Sequence, residues 1–257
     1  MRALTEWRPQ GIIGVFTDID DTLTTDGAIT SDALQALADL QAAGLHVVPI
    51  TGRPVGWSVP FASAWPVDAI VAENGAVALV QPDGQPLAKH YQQDATTRAA
   101  HFARMQALLT QIERDIPGAV RSQDSAGRET DIAIDHSEFT RLPPAAIDQV
   151  VRTMQAAGMT ATVSSIHING WFGDHSKWSG ARWIVQQLWG RALDTEIERW
   201  VYVGDSTNDQ TMFEHFAHSV GVANIRRFES QLTHAPRFIT PSERGAGFAE
   251  VARHLLG

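Results

Sequence analysis

The spacing of hydrophobic positions changes period along the chain, and each change marks an element. Residues 11–18, "GIIGVFTD", are almost wholly apolar and end in charge, the pattern of a central parallel strand covered on both faces. In "TSDALQALADLQAAG", Leu34, Leu37 and Leu40 fall on one side, Thr30 or Ser31 stands where a cap belongs, and Gly44 is a stop, which predicts a helix. "LHVVPITG" reads as the next strand, "PVGWSVPFASAW" as a helix or irregular segment interrupted by Pro60, and "VDAIVAENGAVAL" as strand, turn and strand. Alternating strand and helix predict a parallel α/β sheet.

The rhythm breaks at "QPDGQP", residues 81–86, a turn-rich stretch suited to a linker. A long helical pattern follows in "TTRAAHFARMQALLTQIERDIPG". After it come a strand in "ETDIAIDH", a helix in "PPAAIDQVVRTMQAAG" and a strand in "MTATVSSIHING". This block reads as a separate α+β unit, residues 82–172, inserted into a core made of 1–81 and 173–257. The core rhythm returns with helix "SKWSGARWIVQQLWG", strand "RWVYVGD", a helix from about Thr207, strands "HSVGVAN" and "RFIT", and a closing helix "AGFAEVARHLL".

Composition narrows the partners. With 20 Lys+Arg against 29 Asp+Glu the net charge is −9, which disfavours nonspecific binding to a nucleic-acid backbone and suits small polar or metal-bridged ligands. No cysteine is present, so thiolate metal sites, disulfides and cysteine nucleophiles are excluded. "MRALTEWRPQ" lacks the apolar core of a signal peptide and no run approaches the roughly 18 apolar residues of a membrane span, so a soluble, cytoplasmic protein is expected.

Chemistry gathers at predicted strand ends. Asp18, Asp20 and Asp21 crowd behind the first strand, a costly arrangement unless a cation or specific hydrogen bonds offset the charge. Thr51 follows the second strand, and Asp205 follows "VYVG" with Asn208 and Asp209 just after. In open α/β sheets ligands bind at the carboxyl ends of strands, so these distant groups are expected to converge. Asp18, Asp20, Asp205 and Asp209 would form an oxygen-rich cluster suited to Mg2+. Taken singly, each of these residues has an ordinary role as a turn former or helix cap. The set does not.

Four motifs in order, "DIDDT" at 18–22, "ITG" at 50–52, Lys177 in "HSKWSGA" and "GDSTND" at 204–209, resemble the haloacid dehalogenase superfamily in its phosphatase branch. That resemblance implies a Rossmann-like parallel-sheet core and a Mg2+-dependent reaction. It makes Asp18 the nucleophile that forms an aspartyl-phosphate and Asp20 the general acid and base. Thr51 and the Gly52 N–H would hold phosphate oxygens, and Lys177 would offset charge on Asp18. The metal would lie among Asp18, the Asp20 carbonyl and Asp205, with Asn208 and Asp209 in or just outside its shell. Dehalogenases of the superfamily lack the second aspartate, so phosphoryl chemistry is implied.

Only 32 residues separate Asp18 from Thr51, whereas 125 separate Thr51 from Lys177. An insertion at the second place, with "ENGA" at 73–76, resembles subfamily IIB with its α+β cap of the C2B type, the group of Cof-type and sucrose-phosphate phosphatases. Phosphorylated sugars or related small metabolites are the implied substrates. Within "SSIHINGWFGDHSK", His167, Asn169 and Trp171 are expected to face the leaving group, Trp171 by stacking on a sugar ring. Arg53, and less so Arg128, have the fork geometry of a phosphate or carboxylate clamp. A phosphomutase and a phosphometabolite-sensing module are the alternative readings.

Overall fold

The computed structural model describes residues 1–82 and 84–257. In chain order the strands are β1 (Arg2–Ala3), β2 (Gly14–Thr17), β3 (Thr24–Thr25), β4 (Ala28–Ile29), β5 (His46–Pro49), β6 (Ile70–Ala72), β7 (Val77–Val80), β8 (Ala88–Tyr91), β9 (Val120–Arg121), β10 (Ile132–Asp135), β11 (Thr160–Val163), β12 (His167–Trp171), β13 (Trp200–Gly204), β14 (His218–Gly221) and β15 (Phe238–Ile239). The helices are α1 (Ser31–Ala42), α2 (Val55–Ala64), α3 (Ala95–Asp115), α4 (Pro144–Ala156), α5 (Lys177–Trp189), α6 (Gln210–His215) and α7 (Arg244–Leu256).

The main sheet has the order β1-β15-β14-β13-β2-β5 and every pair in it is parallel. Burial on both faces explains why its strands read as apolar runs. Val15 points into a core shared with α1 and α7, while its neighbour Phe16 points into a second core with α5 and α6. Gly14 is fixed by that second core, because a Cβ there would sit 2.3 Å from the ring of Trp200 on β13.

A three-stranded antiparallel sheet, β6-β7-β8, continues from β5 through a parallel bridge between Ile50 and Val71. The sequence pattern missed β8. The 81–86 stretch, of which residue 83 lies outside the described residues, falls between β7 and β8, and the passage into the next sheet comes after Tyr91. That sheet, β11-β12-β10-β9, is antiparallel, and α3 and α4 pack Met105, Leu109, Val150 and Met154 with Ile132, Ile134 and Ile168. "MTATVSSIHING", read as one strand, is the hairpin β11–β12, because Ser164 takes the His167 N–H on its hydroxyl and closes a tight turn. No helix of the described residues is long and apolar enough to cross a membrane.

One close approach positions the site. The turn at Glu73–Gly75 touches the first turn of α5 so closely that a Cβ on Gly180 would lie 2.6 Å from the Gly75 Cα. Gly180→Ala is expected to force α5 outward, lowering stability by about 1–3 kcal/mol in urea unfolding and displacing Lys177 at the helix start. An unchanged midpoint would mean that the segments separate without cost.

Candidate active site

The carboxyl ends of β2, β5 and β13 converge as the strand-end argument requires. Asp18 follows β2 with its N–H on the Val203 carbonyl, 2.8 Å away. Thr51 follows β5 and is fully buried; its hydroxyl oxygen accepts the Arg53 N–H at 3.0 Å. Lys177 opens α5, whose start is capped by Ser176, and Nζ reaches Asp18 Oδ1 at 2.6 Å and Asp209 Oδ1 at 2.7 Å. Carboxylate oxygens of Asp18, Asp205 and Asp209 lie within 4.8 Å of one another.

The electrostatics of this cluster favour a cation. Three buried carboxylates face one buried ammonium, so two negative charges remain uncompensated. Burial pushes the Asp18 carboxyl up to about 7, with the charge of Lys177 drawing it back. Burial, then the charges of Asp18 and Asp209, push Asp205 well above the usual carboxylate range. Asp205 Oδ2 accepts from Asn224 Nδ2 at 2.9 Å, but Oδ1 is buried without a partner. An orphaned carboxylate oxygen in an all-oxygen cluster with excess negative charge fits a hard divalent ion.

The other predicted residues are held by partners within the protein. Both oxygens of Asp209 are already engaged, Oδ1 by Lys177 and Tyr202 and Oδ2 by the N–H groups of Asp205 and Ser206, so its lone pairs serve the lysine and the loop. Asn208 Oδ1 accepts from the Ser206 hydroxyl at 2.8 Å. Arg53 grips protein carboxylates instead of standing free for a phosphate. Its Nε and Nη2 fork onto Asp20 at 2.8–3.0 Å, Nη1 meets Asp124 at 3.1 Å, and Nη2 also meets Glu138 at 2.7 Å.

The returning strand β12 also differs from expectation. His167 Nε2 is paired with Glu138 at 2.8 Å, and Asn169 Nδ2 is bonded to Gly52 O and Asp131. Trp171 is 1% exposed, with its N–H on the His175 carbonyl and its ring stacked on His175. It has no face open to a sugar, so it is a packing residue.

Sequence reasoning missed Tyr202, Asn224, Asp124, Glu138 and Asp131. Asn224 carries a usable signal, since it stands just past the fourth strand end, β14. Glu138 and Asp124 carry none, because they reach the core only through the folding of the inserted segment. Glu73 of "ENGA" is likewise a link: fully buried, it accepts the N–H groups of Val55, Glu129 and Thr130.

A cavity of about 370 Å³ opens beside Asp20, lined among others by Asp21, Asp26, Glu138, Phe139 and Arg244. Arg244 Nε lies 3.1 Å from Asp21 and Nη1 lies 2.8 Å from Asp26. Four carboxylates thus face two guanidinium groups.

Residues 15–127 match the family model of haloacid dehalogenase-like hydrolases. No curated protein matches the chain. Among solved structures, the chain is similar to Thermoplasma acidophilum 0175, at 16% identity over 96% of this chain and 99% of that one with a TM-score of 0.73. It is also similar to a haloacid dehalogenase-like hydrolase from B. subtilis, at 17% identity over 95% and 100% with a TM-score of 0.67. The sucrose-phosphatase from Synechocystis sp. PCC6803, solved with sucrose and phosphate, aligns at 16% identity over 95% and 98% with a TM-score of 0.66.

Proposed function

We propose that this chain is a haloacid dehalogenase-like hydrolase, the family whose model matches residues 15–127, and that it hydrolyses phosphate monoesters of small, hydroxyl-rich alcohols through an aspartyl-phosphate. The observation that carries the reading is Asp18 itself: a buried carboxylate at a strand end, one oxygen held by Lys177 and the other left for attack. Asp18 would bond to phosphorus as the bond from phosphorus to the alcohol oxygen breaks, and Asp20 would give that oxygen its proton. Asp20 would then take a proton from the water that attacks the aspartyl-phosphate. Because Arg53 holds both Asp20 oxygens, Asp20 acts only after turning away from that fork. Thr51, the Gly52 N–H and Lys177 would hold the phosphoryl oxygens.

Asp18, the Asp20 carbonyl and Asp205 would hold the metal, with Asn208 and Asp209 outside them. Bound there, Mg2+ supplies charge neutralisation for the phosphoryl group. The 82–172 segment is the substrate-selecting cap in this reading, contributing Glu138 and Phe139 to the cavity beside Asp20. The carboxylate excess there favours neutral hydroxyls over a second anionic group, and the sucrose bound to the Synechocystis phosphatase is a compound of that kind.

A panel of phosphorylated metabolites with p-nitrophenyl phosphate as reference tests this. Sugar monophosphates are expected to exceed bisphosphates and carboxylated esters by about tenfold in kcat/KM, the effect of one unfavourable charge contact. Hydrolysis of no ester at all overturns the phosphatase reading; a preference for doubly anionic substrates overturns the pocket assignment.

A further inference from the structure

Gly52, whose N–H the phosphatase reading places on a phosphoryl oxygen, has its carbonyl held from the opposite side by the inserted segment. Arg128 Nη1 donates to Gly52 O at 3.0 Å and Asn169 Nδ2 donates to it at 3.2 Å. These donors come from positions 76 and 117 residues away in sequence, and both side chains are buried. Asp131, which has no exposure, fixes the pair: its Oδ1 accepts Arg128 at 2.8 Å and its Oδ2 accepts Asn169 at 3.0 Å.

The peptide so held joins Gly52 to Arg53, and its other end matters for chemistry. The Arg53 N–H on that same peptide donates to Thr51 Oγ1 at 3.0 Å. Occupying a lone pair of the threonine oxygen leaves its own O–H to turn elsewhere. A cationic donor on the carbonyl polarises the amide and strengthens the bond from its N–H. Glycine at 52 offers no Cβ to resist rotation of the chain, so the orientation rests on these partners. There is also little room for a side chain: a Cβ would lie 3.3 Å from Asn169 Oδ1.

We propose that Arg128 and Asn169 are positioning residues of the phosphate-gripping loop. By pinning Gly52 O they aim the Thr51 hydroxyl and the Gly52 N–H, so affinity for the phosphoryl group is set partly from the inserted segment. The proposal rests on the phosphatase reading for the role of Thr51 and Gly52. It assigns Arg128 and Asn169 to the phosphoryl group common to all substrates and not to the leaving alcohol.

Asn169→Ala removes one donor. Arg128→Met with Asp131→Asn removes the guanidinium together with the fully buried charge it neutralises, while Asp124, which Arg128 also meets at 3.2 Å, keeps its ion pair with Arg53 at 3.1 Å. Binding of inorganic phosphate to the Mg2+-loaded proteins is measured by titration calorimetry, with circular dichroism to establish folding. Dissociation constants are expected to rise about tenfold in the double variant and roughly three- to tenfold in Asn169→Ala, the effect of losing one hydrogen bond. kcat/KM should fall by a matching factor on p-nitrophenyl phosphate and on a sugar phosphate alike, and Arg128→Lys should recover part of the affinity.

Folded variants that bind phosphate within twofold of the parent overturn the proposal, as does a loss confined to the sugar ester. Asn169→Ala alone decides if the double variant does not fold. A parent that binds phosphate but hydrolyses nothing removes the phosphatase reading and leaves the binding comparison to decide this one; a parent that does neither removes both.

Discussion

Asp18→Asn is expected to lower kcat by about four orders of magnitude or more, the scale of losing a covalent nucleophile. The amide matches the carboxylate in shape but offers no lone pair able to attack phosphorus. The fold should survive. Burial and the neighbouring carboxylates already push Asp18 up to about 7, so removing its charge relieves repulsion with Asp205 and Asp209 while Lys177 keeps Asp209. Melting followed by circular dichroism should give a Tm at or above that of the parent in metal-free buffer, and assays on p-nitrophenyl phosphate should give background rates. Activity within tenfold of the parent would place the nucleophile elsewhere.

Chelation is expected to take activity to background and Mg2+ to restore it, with Ca2+ a poor substitute because it accepts looser, longer coordination. The same carboxylates give the effect a pH signature. Asp18 is raised from 3.8 to about 7, so its folded pKa lies above its unfolded one. Its contribution to the stability of the metal-free protein is therefore fully present below 3.8 and is lost as pH rises through about 7. Metal must displace the proton, so the rise in Tm caused by Mg2+ should be small at pH 5 and grow up to pH 8. A rise of equal size at both values would remove the buried carboxylates from the metal site.

What the sequence made legible follows from where the constraints are local. β2, β5 and β13 are apolar because both faces are covered, and that shows in a single window. The core site was readable because sheet topology delivers every strand end to one edge, so Asp18, Thr51 and Asp205 needed only to be recognised as strand-terminal. β1, β3, β4 and β9 have two residues each, too few for any period to appear. Trp171 misled for a different reason: its composition suits a sugar, while its fate depends on the 172–175 turn that encloses it. Arg53, Asp124 and Glu138 form a linkage between segments up to 85 residues apart, and no spacing rule reports such a contact.

The strand order has a kinetic consequence. β2 and β13 are neighbours inside the main sheet, yet roughly 180 residues separate them. During synthesis at about 5–20 residues per second, the bare edge of "GVFT" waits on the order of ten seconds or more for its partner. Over that interval the nascent chain presents an unpaired apolar edge, a template for association with other unfinished chains. Slow, concentration-dependent refolding from denaturant is the behaviour this topology dictates, and it makes chaperone access during translation a condition for good yield.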